Sequence, residues 1–254
     1  MKRAIVYLCL LWNPLVSISQ VTNLSSSQIR VTPEDKKVYE RVMEALAPVR
    51  EESMPVVIMK AAEAMLGTPY AGGTLEQEPE MLTVSLARTD CILLVEACVA
   101  MAQTVRQEDS SFEAFCANLK QLRYRDGLVD GYASRIHYTS EWILQAKARG
   151  LATEVSMNID GTPLEQGFSY MSSHAEKYPL LATDQQLVAR IAAMEERLQR
   201  EKYYFIPKKN LESNLDNIHH GDMICFVTNT EGLDISHVAF AFEYYECEHD
   251  CCPD

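Results

Sequence analysis

An α+β domain, with N-terminal helices packed on an antiparallel sheet, is what the order of patterns along this chain predicts. Three observations carry that expectation. Apolar residues recur at helical spacing through most of the first half. The segment Cys91 to Met101 is apolar nearly all round, which marks a buried central helix. The strongest strand-like runs, Met223 to Thr228 and His237 to Tyr244, come near the end.

The elements follow in order. Thr32-Pro33-Glu34-Asp35 is a helix start, with a capping Thr, Pro at the first position and acids in the first turn. Val38, Val42 and Leu46 then mark one helical face. A second helix is expected from about Met54 to Leu66, stopping at Gly67, and Thr68 to Thr74 is a loop by composition. Thr89 and Asp90 are capping residues ahead of Cys91. Phe112, Phe115, Leu119 and Leu122 mark the next helix, and Ser140 to Ala148 another, closed by Gly150. Thr153 to Ile159 and Gln166 to Met171 alternate as strands do. A long amphipathic helix is expected from Asp184 to Lys202, and Tyr203 to Ile206 as a strand.

The chain begins with a basic Met1-Lys2-Arg3, an apolar run from Ala4 to Trp12 and a small-residue exit, the layout of a secretory signal peptide over residues 1–19. An apolar N-terminal strand or helix is the other reading of that run. It is shorter than the roughly 20 residues that span a bilayer, and no later segment is long and apolar enough, so no stable membrane insertion is expected. The expected product is exported, to the periplasm or beyond the cell. It would be a single domain over residues 20–254, with a flexible leader at 20–31 and an irregular tail at 245–254. The formal charge of −13 becomes −15 once Lys2 and Arg3 are removed. That balance argues against a nucleic-acid partner, which needs a basic surface. Eight cysteines become seven without Cys9, and an odd number leaves a thiol free within one chain.

Cys91 stands where a helix is expected to begin. Unpaired N–H groups and the helix dipole favour an anion there, and helix N-termini lower thiol pKa values. Cys91 is thus a candidate nucleophile, with a buried structural cysteine as the plain alternative. Cys98 and Cys116 fall inside apolar helices and read as structural. A thiol nucleophile needs a base, and His237, at the mouth of a strong strand, is a candidate.

Longer motifs narrow the reading. Leu66-Gly67-Thr68-Pro69-Tyr70 with Gly72-Gly73-Thr74-Leu75 precedes Asp90-Cys91. Arg123-Tyr124-Arg125-Asp126-Gly127 is followed by Gly131 to Tyr138 and Trp142, then Ile206-Pro207-Lys208, Gly221-Asp222 and Gly232-Leu233-Asp234-Ile235-Ser236-His237-Val238. In this order the pieces resemble the N-acetylmuramoyl-L-alanine amidase-like family of NlpC-type, papain-fold cysteine hydrolases, from about Leu66 to Phe242. The resemblance implies a papain-like fold, a peptidoglycan-fragment (muropeptide) substrate and hydrolysis of the amide between the lactyl group of N-acetylmuramic acid and L-alanine. Cys91 would be the nucleophile and His237 its base. Muropeptide endopeptidases of the same fold, and wall-binding members without a complete site, are the alternatives.

Further site residues are expected with less to fix their roles. Tyr70 belongs to the loop before the nucleophile. Tyr124, Tyr132, Tyr138 and Trp142 are candidates for packing on sugar faces, and Arg135 for holding a carboxylate. Equally, the rings are core and Arg135 makes a structural ion pair. Asp126 belongs to the same motif or is a turn residue, and His137 completes the set. Two departures from the family pattern stand out. Ile92, Leu93 and Leu94 replace small polar residues and an aromatic after Asp-Cys, and Ala239 replaces a Gly. The tail is foreign to the family, although His249, 12 residues after His237, is placed for a third catalytic role. The spacing of Cys247, His249, Cys251 and Cys252 is too tight for a tetrahedral metal site, and neither metal nor other cofactor is expected.

Overall fold

A computed structural model describes residues 5–9 and 29–243. The sheet has five strands in the order β4-β5-β1-β6-β7, all neighbours antiparallel. They are β1 (Ile5–Cys9), β4 (Thr162–Pro163), β5 (Tyr204–Pro207), β6 (Met223–Val227) and β7 (Ile235–Phe240). Two short strands, β2 (Ile29–Arg30) and β3 (Leu82–Thr83), pair in parallel apart from it. Among the described residues there are seven α-helices, α1 (Pro33–Leu46), α2 (Met54–Ala64), α3 (Cys91–Val105), α4 (Phe112–Arg123), α5 (Thr139–Ala148), α6 (Tyr170–Ser173) and α7 (Gln185–Leu198), with short 3-10 turns between them. The mixture is α+β, with an antiparallel main sheet.

The helix starts follow their caps. Thr32 and Asp35 form a reciprocal capping box at α1. The other Asp35 carboxylate oxygen accepts the Leu86 and Ala87 backbone N–H groups at 2.8 and 2.9 Å, joining α1 to the strand region before Cys91. These bonds hold the Asp35 carboxyl below its usual range against the opposing effect of burial, the largest contribution. Helix α3 is the hub of the core and packs against α1, α2, α4 and β7. Its apolar circumference is accounted for by those neighbours, with Ala97, Cys98, Val99, Ala100 and Met101 all buried.

Two expected strands are absent. Between Thr153 and Ile159 the chain makes a one-turn helix at Ser156–Asn158. The Ser156 N–H is taken by the nearby Glu154 carboxylate at 2.7 Å, a local bond that competes with a strand ladder. Between Gln166 and Met171 the backbone donors go elsewhere. Ser169 and Tyr170 N–H both reach the Gly232 carbonyl at 3.0 Å, and Met171 and Ser172 N–H reach Glu195 at 3.1 Å. Strand β7 also begins two residues before His237, at Ile235.

The N-terminal stretch read as a leader contributes β1, which lies between β5 and β6 with Ile5 opposite Pro207 and Val227. Within the expected flexible stretch 20–31, Ile29–Arg30 is strand β2. Residues 20–28 and the tail 245–254, including His249 and the cysteines around it, lie outside the described residues.

Candidate active site

The site begins at a helix cap. Asp90 is the N-cap of α3, and its side chain accepts the Leu93 N–H at 2.9 Å while its carbonyl accepts from Leu94. Cys91 is then the first residue of the helix, partly exposed and free of any disulfide. The positive end of the dipole of a fifteen-residue helix therefore lies at Cys91. Thr89 and Tyr70 form a parallel bridge just before the cap, with Ala71 N–H donating to the Thr89 carbonyl at 2.9 Å. This fixes the Tyr70 loop beside the nucleophile position. The Tyr70 side chain lies within electrostatic reach of Cys91. Partial desolvation, followed by the Cys91 and Asp90 charges, raises its pKa. Tyr70 is 71% exposed, so its ring is available to a ligand.

The other described thiols are poorly placed for chemistry. Burial pushes Cys98 and Cys116 up to about 12. Cys225, opposite Val238 in the β6–β7 ladder, is also buried and raised, with smaller contributions from the Asp234 and Cys91 charges. Cys91 is the thiol among the four that is not buried.

His237 owes its exposure to an irregular strand. Ile235 stands opposite Val227 and His237 opposite Phe226, so Ser236 is an extra residue in the ladder. Simple alternation from buried Ile235 would turn His237 inward. The bulge instead leaves both Ser236 and His237 exposed and returns Val238 to the core. The His237 ring lies 5.8 Å from that of Phe226. Strand β7 packs on α3, so the elements bearing Cys91 and His237 adjoin. The two side chains do not hydrogen-bond to each other among the described residues.

The remaining candidates divide by burial. Tyr124 is buried and donates to Glu80 at 2.7 Å. Tyr138 is buried and donates to Glu195 at 2.6 Å. Tyr132 packs on His137 with ring centroids 4.5 Å apart. Arg135, 4% exposed, pairs with Glu76 at 2.8 Å and lies over the Tyr132 ring at 4.9 Å. These side chains are committed to the core, and in this conformation the rings offer no open face for sugar stacking. Asp126 is an exposed turn residue at φ +52°. His137 Nε2 donates to the Tyr132 carbonyl at 2.9 Å. Burial, with the Arg135 charge, drives its pKa well below the usual range and keeps the ring neutral. Trp142 is buried with its indole N–H unpartnered.

Residues outside the expected set also shape the site. The buried Asp234 carboxylate accepts the Ser140 N–H at 2.7 Å, tying the loop before His237 to the start of α5. Its place in Gly232-Leu233-Asp234 was a visible signal of a turn but gave no hint of its partner. Cys225 carries no local sequence signal that sets it near Cys91.

The sequence matches the AmiA-like family, described as N-acetylmuramoyl-L-alanine amidase-like, over residues 60–247. Comparison with curated proteins finds no match. Crystal structures of an N-acetylmuramoyl-L-alanine amidase from Bacteroides uniformis are similar. One is 35% identical with a TM-score of 0.71 over 75% of this chain and 81% of that one. Another is 36% identical with a TM-score of 0.69 over the same shares. A Bacteroides fragilis protein provisionally named a xylanase is 39% identical with a TM-score of 0.66, over 70% of this chain and 79% of its own. With the family matched over most of its length, the chain belongs to the N-acetylmuramoyl-L-alanine amidase-like family.

Proposed function

We propose that this protein is an exported, cysteine-dependent peptidoglycan hydrolase of NlpC-type papain fold that cleaves the N-acetylmuramoyl-L-alanine bond of muropeptides. The observation that carries the reading is the partly exposed Cys91 at the first position of α3, with the Tyr70 loop beside it. His237 takes the Cys91 thiol proton, and the resulting thiolate attacks the lactyl carbonyl. The carbonyl electrons move to oxygen, and the N-terminal N–H groups of α3 stabilise that charge together with the Tyr70 hydroxyl. Collapse expels the L-alanine amine, which takes its proton from His237, and leaves a thioester on Cys91. Water activated by His237 then releases the muramic acid carboxylate and restores the thiol. The dyad requires a Cys91–His237 hydrogen bond, which the described conformation does not make.

Export rests on the basic start and apolar run of residues 1–19. Since Ile5–Cys9 forms β1, removal of a leader leaves β5 and β6 without their shared neighbour.

The test is mass spectrometry of defined muropeptides incubated with the protein and with Cys91→Ala and His237→Ala variants. Release of an intact peptide beginning at L-alanine, lost in both variants, supports the amidase reading. Cleavage within the stem peptide moves the protein to the endopeptidase branch. Binding without cleavage makes it a wall-binding member, a reading favoured by the absence of a Cys91–His237 hydrogen bond.

A further inference from the structure

Beside the first turn of α3 lies a cavity of about 70 Å³. That is well above the roughly 10–15 Å³ that admits a single water. Its rim is partly exposed and mostly aliphatic, formed by Leu75, Ile92 and Ile136 with His137. Ile92 directly follows Cys91, and is one of the residues that departs from the family pattern.

The buried floor contains several polar side chains, and most are already engaged. Arg123 and Glu96 pair at 2.7 Å, and Tyr138 donates to Glu195. Trp142 differs. It is 2% exposed, and its Nε1–H has no partner. A buried donor left unpaired costs roughly 1–3 kcal/mol, so a ligand that accepts from it gains accordingly. His137 supplies the complementary group. Its Nε2 faces the Tyr132 carbonyl, which only accepts, so Nε2 carries the proton and Nδ1 the lone pair. The lining thus offers one neutral donor, one neutral acceptor, the Thr139 hydroxyl and aliphatic surface. That set suits a small secondary amide bearing a methyl group, and the two charges of the floor, Arg123 and Glu96, are paired with each other.

We propose that this cavity is the subsite for the 2-acetamido group of the muramic sugar. The acetyl carbonyl accepts from Trp142 Nε1–H, the amide N–H donates to His137 Nδ1, and the methyl group rests on Leu75, Ile92 and Ile136. The assignment rests on the amidase reading and deepens it. Sugar chemistry supports the placement. The acetamido group and the lactyl ether occupy adjacent ring carbons. A lactyl carbonyl held at Cys91 therefore keeps the acetamido group close to the first turn of α3, beside which this cavity lies. The aliphatic substitution after Asp-Cys then has a role, as the apolar wall of this subsite.

The experiment compares kcat/KM for N-acetylmuramoyl-L-alanyl peptide and its N-deacetylated counterpart. It uses the wild type, Trp142→Phe and, on the partly exposed rim, Ile136→Trp, which fills the cavity without removing a buried side chain. The wild type is expected to prefer the acetylated substrate by at least about tenfold, mainly through KM. Both variants should lose most of that preference. If Trp142→Phe does not fold, Ile136→Trp decides alone. Equal cleavage of both substrates by the wild type overturns the subsite and leaves the amidase reading intact. A preference that survives in the folded variants also overturns it, because the acetyl group is then read elsewhere. Cleavage of neither substrate removes the amidase reading and the subsite together.

Discussion

The Asp234 carboxylate accepts the Ser140 backbone N–H at 2.7 Å, across 94 residues of sequence. One bond therefore fixes the loop that feeds β7 against the opening turn of α5. Burial raises the Asp234 pKa, opposed by the bonds from Ser140 and Ile235. The side chain acts as a remote cap for α5, whose own N-cap, Tyr138, supplies no capping side-chain bond. Asp234→Ala leaves a buried N–H unpartnered and is expected to cost roughly 1–3 kcal/mol in urea unfolding. Asp234→Asn keeps an acceptor and should retain much of that stability at neutral pH. Equal losses in the two variants would show that the carboxylate charge, rather than its role as acceptor, matters.

Gly232 holds the same loop from its other side. It sits at φ +75°, and its carbonyl accepts from both Ser169 and Tyr170. A Cβ there would meet Ser169 Oγ at 2.6 Å and the Tyr170 backbone nitrogen at 2.8 Å. The side chain of Ser169 can turn away, but the Tyr170 backbone cannot do so without breaking its bond to Gly232. Gly232→Ala is therefore expected to cost at least about 2 kcal/mol. Gly67 is the control. Its φ is +83°, yet nothing lies within 4 Å of the place a methyl group would take, so Gly67→Ala bears backbone strain alone. Thermal unfolding of the two variants should place Gly232→Ala well below Gly67→Ala; coincident midpoints would refute the clash argument.

These long-range ties mark the limit of what the sequence carried. Helix starts were legible because caps act within three or four residues, as Thr32 with Asp35 and Asp90 with Leu93 demonstrate. The position of Cys91 was legible for the same reason. The exposure of His237 was not, because it depends on a bulge whose register is set by β6. Alternation at Thr153 to Ile159 suggests a strand, but pairing there is limited to a bridge at Glu154, whose carboxylate captures the Ser156 N–H. The aromatic run from Tyr124 to Trp142 left core and ligand readings balanced. Distant partners, Glu80 for Tyr124 and Glu195 for Tyr138, decide for core. Trp142, by contrast, has no partner for its polar atom and lines a cavity beside α3.

Asp222 gives the fold a measurable dependence on pH. It opens β6 from the Gly221-Asp222 turn, is 3% exposed, and accepts the His219 backbone N–H at 2.8 Å. Burial pushes its pKa up to about 6, with the His219 N–H and ring opposing the rise. Below the unfolded value of 3.8 the group is neutral in both states, and its contribution to stability is fully present. As pH rises toward 6, the unfolded chain ionises first while the folded chain keeps its proton. Stability therefore falls through that window, by on the order of 2–3 kcal/mol, and the loss is complete above it. Asp222→Asn accepts the same N–H and cannot ionise. Urea unfolding from pH 3.5 to 7.5 should show the wild type losing stability relative to the variant between about pH 4 and 6, with a constant difference above. A difference that stays flat across the whole range would mean that Asp222 ionises as easily in the folded protein as in the unfolded chain, and that water reaches it where the structure buries it.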